Sequence, residues 1–258
     1  MTEKNNSIFL SVVIPTYNEE RRIGKTLVSV KQFLNSQNYP YEVIVVDDGS
    51  SDTTRSIIQI ISEGWPHIRL ITNTINRGKG AVVKQGVLNA QGQYILFTDA
   101  DNATPIEQVS KLLQYVEEFP VVIGSRHCPG GKVHIPQARH RIILSRASNL
   151  LIRLLAVPGV WDTQCGFKLF ERNAGQNIFA NVQLEKWGFD FEALTIAAHL
   201  GYKFKEVGIE WYNSPESKVR AGREALRTLR DLLRVKSNLM RGVYSSTGYI
   251  HTFPITKR

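Results

Sequence analysis

The sequence predicts an α/β domain: a Rossmann-like, mostly parallel central sheet with helices on both faces. Three observations carry this expectation. Short apolar runs recur without polar alternation, which is how strands covered on both faces read. Segments of helical length separate them through the first half of the chain. Polar clusters fall where the runs end, and ligands of such sheets bind beyond the carboxyl ends of the strands.

Each element follows from local pattern. Leu10–Ile14 reads as a buried strand, and Asn18–Asn35 as a helix with Asn18 as a plausible N-cap. Glu42–Val46 is a second strand and Asp52–Glu63 a second helix; Ile68–Thr72 is a third strand, followed by a glycine-punctuated helix over Gly78–Gln91. Gln93–Thr98 reads as a fourth strand, Pro105–Glu118 as a helix and Val121–Gly124 as a short strand. The second half is less regular. Gln137–Ala156 predicts a basic helix, Asp162–Phe170 a loop or strand, Phe189–Leu200 a helix, Val207–Trp211 a strand and Val219–Arg241 a long helix, with Ser245–Arg258 a loosely held tail.

At 258 residues, with 42% hydrophobic and 21% charged residues, the composition is that of an ordinary globular protein rather than a disordered one. A formal charge of +9 directs attention to anionic partners: nucleotide phosphates, nucleic acid or an acidic membrane surface. The two cysteines, Cys128 and Cys165, make no disulfide framework and no metal spacing, and with no signal peptide the expected compartment is a reducing, cytoplasmic one. The six histidines have no metal spacing either. A spanning helix needs about 20 apolar residues; the best candidate, Leu150–Trp161, is shorter and is interrupted by Arg153 and Pro158.

Four polar segments fall at the predicted sheet edge, and a fifth motif opens a helix. Asp99 and Asp101 end the fourth strand, and residues i and i+2 of a strand share a face. Paired carboxylates there suit Mg²⁺ or Mn²⁺ that also holds substrate phosphates, although Asp is common in turns as well. Pro15-Thr16-Tyr17-Asn18-Glu19 offers a ring to stack on a base and a carboxylate to accept from its edge, or else a helix-capping loop. Val46-Asp47-Asp48-Gly49-Ser50 offers two further carboxylates, or a capped turn. Asn76-Arg77-Gly78-Lys79-Gly80 opens a helix with backbone N–H groups and cations, Lys79 among them, that can hold anionic oxygen. It lacks the Gly-Lys-Ser/Thr ending of the common phosphate loop, and no Gly-x-Gly-x-x-Gly follows the first strand. Gly124-Ser125-Arg126, with Arg139, Arg141 and Arg146 beyond it, supplies cations; Arg141 and Ser145 stand i,i+4 on one helical face and can clamp a phosphate.

On the terminal helix, Arg220, Arg223, Arg227, Arg230 and Arg234 form a cationic stripe beside Leu226, Leu229, Leu233 and Met240. Such a helix can lie on an anionic membrane at roughly 1 kcal/mol per cation, or pack on the domain through its leucines. The stripe has no interleaved aromatics of the kind that bind nucleic acid, so a basic nucleic-acid-binding protein is the disfavoured, non-enzymatic alternative.

Together these motifs, in order, resemble the family 2 inverting glycosyltransferases of the GT-A fold, in particular the polyprenyl (dolichyl) phosphate sugar synthases. The resemblance covers roughly residues 8–220, and Asp99-Ala100-Asp101-Asn102-Ala103-Thr104 with Asp162-Thr163-Gln164-Cys165-Gly166-Phe167-Lys168-Leu169-Phe170 is similar to the dolichyl-phosphate glucosyltransferase branch. It implies a nucleotide-sugar donor, UDP-glucose, and a polyprenyl-phosphate acceptor. Pro15, Tyr17, Glu19 and Asp47 would line the uridine site with Asp48 on the ribose side. Asp99 and Asp101 would hold the metal, and Lys218 would close over the diphosphate. Arg126, Arg141 and Ser145 would receive the acceptor phosphate. Two departures stand out. The mannosyltransferase branch commonly has Gln where this chain has Ala103, which weakens a GDP-mannose reading. The glucosyltransferase branch usually has an N-terminal anchor, whereas this sequence starts almost at its first strand, so the expected location is peripheral, at the cytoplasmic face of a membrane.

A phosphomonoester has a second pKa near 6, so the acceptor oxygen is already anionic at neutral pH and needs no general base. Asp162 and Asp190 are the reserve bases for a hydroxyl acceptor, the case of another family 2 transferase. The expected organisation is a transferase domain over 1–217 and a basic amphipathic helix with its tail over 218–258.

Overall fold

A computed structural model describes residues 7–135, 149–157, 159–213 and 221–245. Its main sheet has seven strands: β1 (Leu10–Thr16), β2 (Tyr41–Asp47), β3 (Ile68–Thr72), β4 (Tyr94–Thr98), β5 (Val121–Ser125), β7 (Phe167–Glu171) and β8 (Phe204–Gly208). They lie in the order β3-β2-β1-β4-β7-β5-β8. Every pairing is parallel except those of β7, which runs antiparallel to both β4 and β5. A smaller parallel pair joins β6 (Lys132–Ile135) to β9 (Glu210–Tyr212).

Alternate residues of the strands feed two cores. Val13, Ile44, Val46 and Phe97 point to one face, which α3 (Lys79–Asn89), α6 (Arg172–Asn181) and α7 (Phe189–His199) cover. Leu10, Val12, Ile14, Val43 and Val45 point to the other, under α1 (Ile23–Asn35), α2 (Thr54–Glu63) and α4 (Val109–Leu113). The absence of polar alternation in β1, β2, β4 and β5 thus reflects strands buried on both faces. Residues 149–155 form a helix, α5, whose Ile152 joins the first core.

Several boundaries differ from the sequence expectation. The first helix begins at Ile23, not Asn18, because Asn18 adopts a left-handed φ of 53°. Its N–H donates to Ser50 Oγ and its Oδ1 accepts from Ser51 N–H, so Asn18 ties the loop after β1 to the loop after β2 instead of capping a helix. The Pro105–Glu118 helix is a 3-10 turn, Ile106–Gln108, followed by the short α4.

The terminal helix is α8 (Ala221–Met240). It seats Leu232 and Val235 in the first core, while Leu229, Leu233 and Met240 stay exposed beside Arg227, Arg230 and Arg234. Beyond it Tyr244 is buried and donates to Glu192 Oε1 at 2.7 Å. Ser245, expected to start a loose tail, exchanges two hydrogen bonds with the Asn181 side chain. The helix therefore shares the core of the sheet domain. The boundary expected at 217/218 lies outside the described residues, as do Arg141, Ser145 and Lys218.

Candidate active site

The carboxyl ends of β1, β2 and β4 open into a cleft of about 590 Å³, which the start of α3, residues 164–166, Lys186-Trp187 and Trp211 complete. The register explains the convergence: Thr16 pairs with Asp47, and Val13 with Phe97, so the segments after all three strands emerge on one edge.

Pro15, Tyr17 and Glu19 line the cleft, with Tyr17 exposed. Arg22 donates to both Glu19 carboxylate oxygens at 2.7 Å, fixing the carboxylate's orientation. The two neighbouring aspartates part company. Asp47, expected at the uridine site, is wholly buried and does not line the cleft. Its carboxylate accepts from Arg55 Nε at 2.6 Å and from the Ser50 N–H and hydroxyl. Asp48 does line the cleft, and its carboxylate accepts from the N–H groups of Arg77 and Gly78, each at 2.8 Å. That clasp holds the loop before α3. Only glycine suits position 78, where φ is 109° and a Cβ would stand 2.5 Å from the Glu185 carbonyl oxygen.

Asp99 and Asp101 lie just past β4 in a turn, so strand alternation is not what brings them together. Asn102 at φ 53° turns the chain, and Ala103 N–H donates to Asp101 Oδ1 at 3.0 Å. Burial, and then the Asp99 charge, raise the Asp101 pKa. Counter-charge comes from Lys79, whose Nζ is 2.7 Å from Asp99 Oδ1, and from Arg22, 3.8 Å from Asp101 Oδ2. Asp99 also presses on the backbone of residue 166: a Cβ on Gly166 would meet Asp99 Oδ2 at 2.1 Å. Two carboxylates whose charges oppose each other in a confined, oxygen-rich cleft fit a hard divalent cation. No third His, Cys, Asp or Glu completes a cluster among the described residues, so a cation held here would keep coordination positions for substrate oxygens.

Arg126 lines the far wall, its guanidinium 5.3 Å from the Trp211 ring centre. Nε and Nη2 each donate to Asp162 at 2.7 Å, and Arg126 N–H donates at 3.0 Å. Burial alone would raise the Asp162 pKa, but Arg126 outweighs it and holds the carboxyl below its usual range. A reserve base in that position is a weak one. Asp190, the other, does not line the cleft; it is buried against Lys168 Nζ, which also donates to the Cys165 carbonyl at 2.6 Å. Sequence reading missed Gly166 and Trp187 as site residues. Gly166 stands in the quoted motif Asp162–Phe170, whereas the partners of Trp187 are set only by folding.

Residues 11–179 match the family model described as "Glycosyl transferase family 2". The chain is 34% identical over 252 residues to a dolichyl-phosphate beta-glucosyltransferase of Dictyostelium discoideum, covering 93% of this chain and 77% of that one. It is 34% identical over 261 residues to the enzyme of that name from Saccharomyces cerevisiae, covering 94% and 78%. Among solved structures it resembles glucosyl-3-phosphoglycerate synthase from Mycobacterium tuberculosis, in complex with Mn²⁺, UDP-glucose and phosphoglyceric acid. That match has a TM-score of 0.65 and 20% identity over 89% of this chain and 80% of that one. The mannosyltransferase PcManGT from Pyrobaculum calidifontis, in complex with GDP-Man and Mn²⁺, matches with a TM-score of 0.62 and 21% identity over 90% and 64%. At those identities the two structures speak to the fold.

Proposed function

The chain belongs to glycosyl transferase family 2, and from that premise we propose that it transfers glucose from UDP-glucose, with inversion, to a dolichyl-type polyprenyl phosphate. The observation that carries this reading is the single cleft joining Asp99, Asp101, Lys79 and Arg126 at the carboxyl edge of the sheet. The relatives named as dolichyl-phosphate beta-glucosyltransferases, alike over nearly the whole chain, support the sugar and the acceptor.

Tyr17, Pro15, Glu19 and Asp48 bound the nucleotide end of the cleft. Asp99 and Asp101 would hold Mg²⁺ or Mn²⁺, which supplies charge neutralisation to the departing diphosphate. On the acceptor side, Arg126 keeps its charge because Asp162 outweighs the burial that opposes it. Its Nη1 takes no part in the bidentate pair and is left to meet a phosphate oxygen. A phosphate nucleophile is anionic at neutral pH and needs alignment rather than deprotonation. The state of Asp162 and Asp190, each committed to a buried ion pair, supports that acceptor over a hydroxyl.

The exposed Leu229, Leu233 and Met240 beside three arginines support seating on an anionic membrane, for which the cytoplasmic face is the proposed side. Among the described residues no helix is long and apolar enough to cross one.

The test is sugar transfer onto a polyprenyl phosphate from UDP-glucose, with GDP-mannose and UDP-N-acetylglucosamine in parallel, in Mg²⁺ or Mn²⁺. The expected outcome is product from UDP-glucose that falls at least about 100-fold in Asp101→Ala, as loss of transition-state charge stabilisation costs. Product from GDP-mannose alone would replace the donor. Donor turnover only onto a hydroxyl acceptor would overturn the phosphate reading.

A further inference from the structure

Lys79 is placed unlike an ordinary surface lysine. It opens α3, and its ammonium reaches Asp99 Oδ1 at 2.7 Å. Three aromatic rings surround it, with centres at 4.8 Å (Trp187), 5.3 Å (Phe97) and 6.0 Å (Phe189). Such faces attract a cation and restrict where the chain end can rest. The ammonium, a cation at neutral pH like any ordinary lysine, thus rests on a carboxylate assigned above to the metal.

Two cations on one carboxylate oxygen repel across a single atom, and a cleft screens them less than bulk water does. Metal binding to Asp99 must then displace Lys79 or work against it. A donor diphosphate entering the same cleft would give the ammonium a second negative partner.

We propose that Lys79 is a movable counter-charge: it occupies Asp99 before the donor arrives, opposes binding of the divalent ion alone, and passes to the diphosphate when ion and nucleotide enter together. The inference rests on the metal-assisted transfer proposed above. It adds an order to that reaction, because the ion is held well only in company with the nucleotide. Lys79 acts here as a positioning residue for Asp99.

The test is Mn²⁺ titration of the full chain, followed by the spin-resonance signal of the free ion, with and without UDP. Lys79→Gln should bind Mn²⁺ alone about tenfold more tightly than the wild type, within the range coupled sites usually span. Lys79→Arg, which keeps the charge, should bind it as weakly as the wild type. Saturating UDP should tighten Mn²⁺ binding in the wild type and do so less in Lys79→Gln. A purely structural lysine would give equal or weaker Mn²⁺ binding on removal, and that result overturns the proposal. The wild-type measurement stands even where a variant fails to fold: Mn²⁺ affinity indifferent to UDP overturns it too. Mn²⁺ binding unchanged in Asp101→Ala would instead show that the ion sits elsewhere, and the metal reading would fall first.

Discussion

Gly166→Ala places a methyl group where the carboxylate of Asp99 already lies. The added Cβ would stand 2.1 Å from Oδ2, 2.5 Å from Cγ and 2.8 Å from Oδ1. Ordinary contact begins near 3.4 Å, so the carboxylate must retreat by more than an ångström. The backbone cannot share that shift cheaply, because Asp99 N–H donates to the Gly166 carbonyl at 3.2 Å. The side chain is 34% exposed toward the cleft and has room to rotate, so the fold should survive with a loss of about 1–3 kcal/mol, the usual cost of overpacking. Rotation abandons both the Lys79 contact and the geometry shared with Asp101. A displacement of about 1 Å in a reacting constellation costs on the order of 100-fold, near 2.7 kcal/mol in activation free energy. Steady-state kcat/KM with UDP-glucose and Mn²⁺ titration measure the effect, and thermal unfolding measures the fold. Gly64→Ala is the control, since a Cβ there meets nothing within 4 Å. If Gly166→Ala keeps kcat/KM and Mn²⁺ affinity within about threefold of wild type, Asp99 is not a metal ligand.

Asp162→Asn should cost about 3–5 kcal/mol in urea unfolding, because it strips a fully buried carboxylate from Arg126 and leaves that charge uncompensated; a loss below about 1 kcal/mol would contradict a structural pair. The Asp162 pKa is depressed on folding, so the pair's contribution is complete above the unfolded-state value near 4 and is lost as pH falls through the folded one. Wild type should therefore lose stability more steeply than Asp162→Asn below about pH 4, as acid titration of the unfolding midpoint would reveal. Replacing Arg227, Arg230 and Arg234 together by Glu should weaken binding to anionic liposomes at least about 100-fold, at roughly 1 kcal/mol per cation removed. Sedimentation with the vesicles reads this directly, and unchanged binding would remove α8 from the membrane contact.

The sequence by itself determined the layered α/β architecture, since apolar-rich runs without polar alternation, such as Leu10–Ile14 and Glu42–Val46, announce strands covered on both faces. It also determined the composition of the carboxyl edge, because Asp99, Asp101, Lys79 and Arg126 follow their strands or loops directly along the chain. Periodicity is a local property, and it reaches no farther. Which of two adjacent aspartates faces the cleft was decided by Arg55 and the Gly78 loop, 8 and 30 residues away. The choice of Asn18 as a staple between loops rather than a cap was decided by Ser50 and Ser51. Antiparallel β7, placed between β4 and β5, brings Gly166 against Asp99 and commits Lys168 to Asp190. Tertiary structure alone settled these pairings, because a buried charge takes whichever partner the packed chain presents to it, and that partner's distance along the sequence leaves no periodic trace.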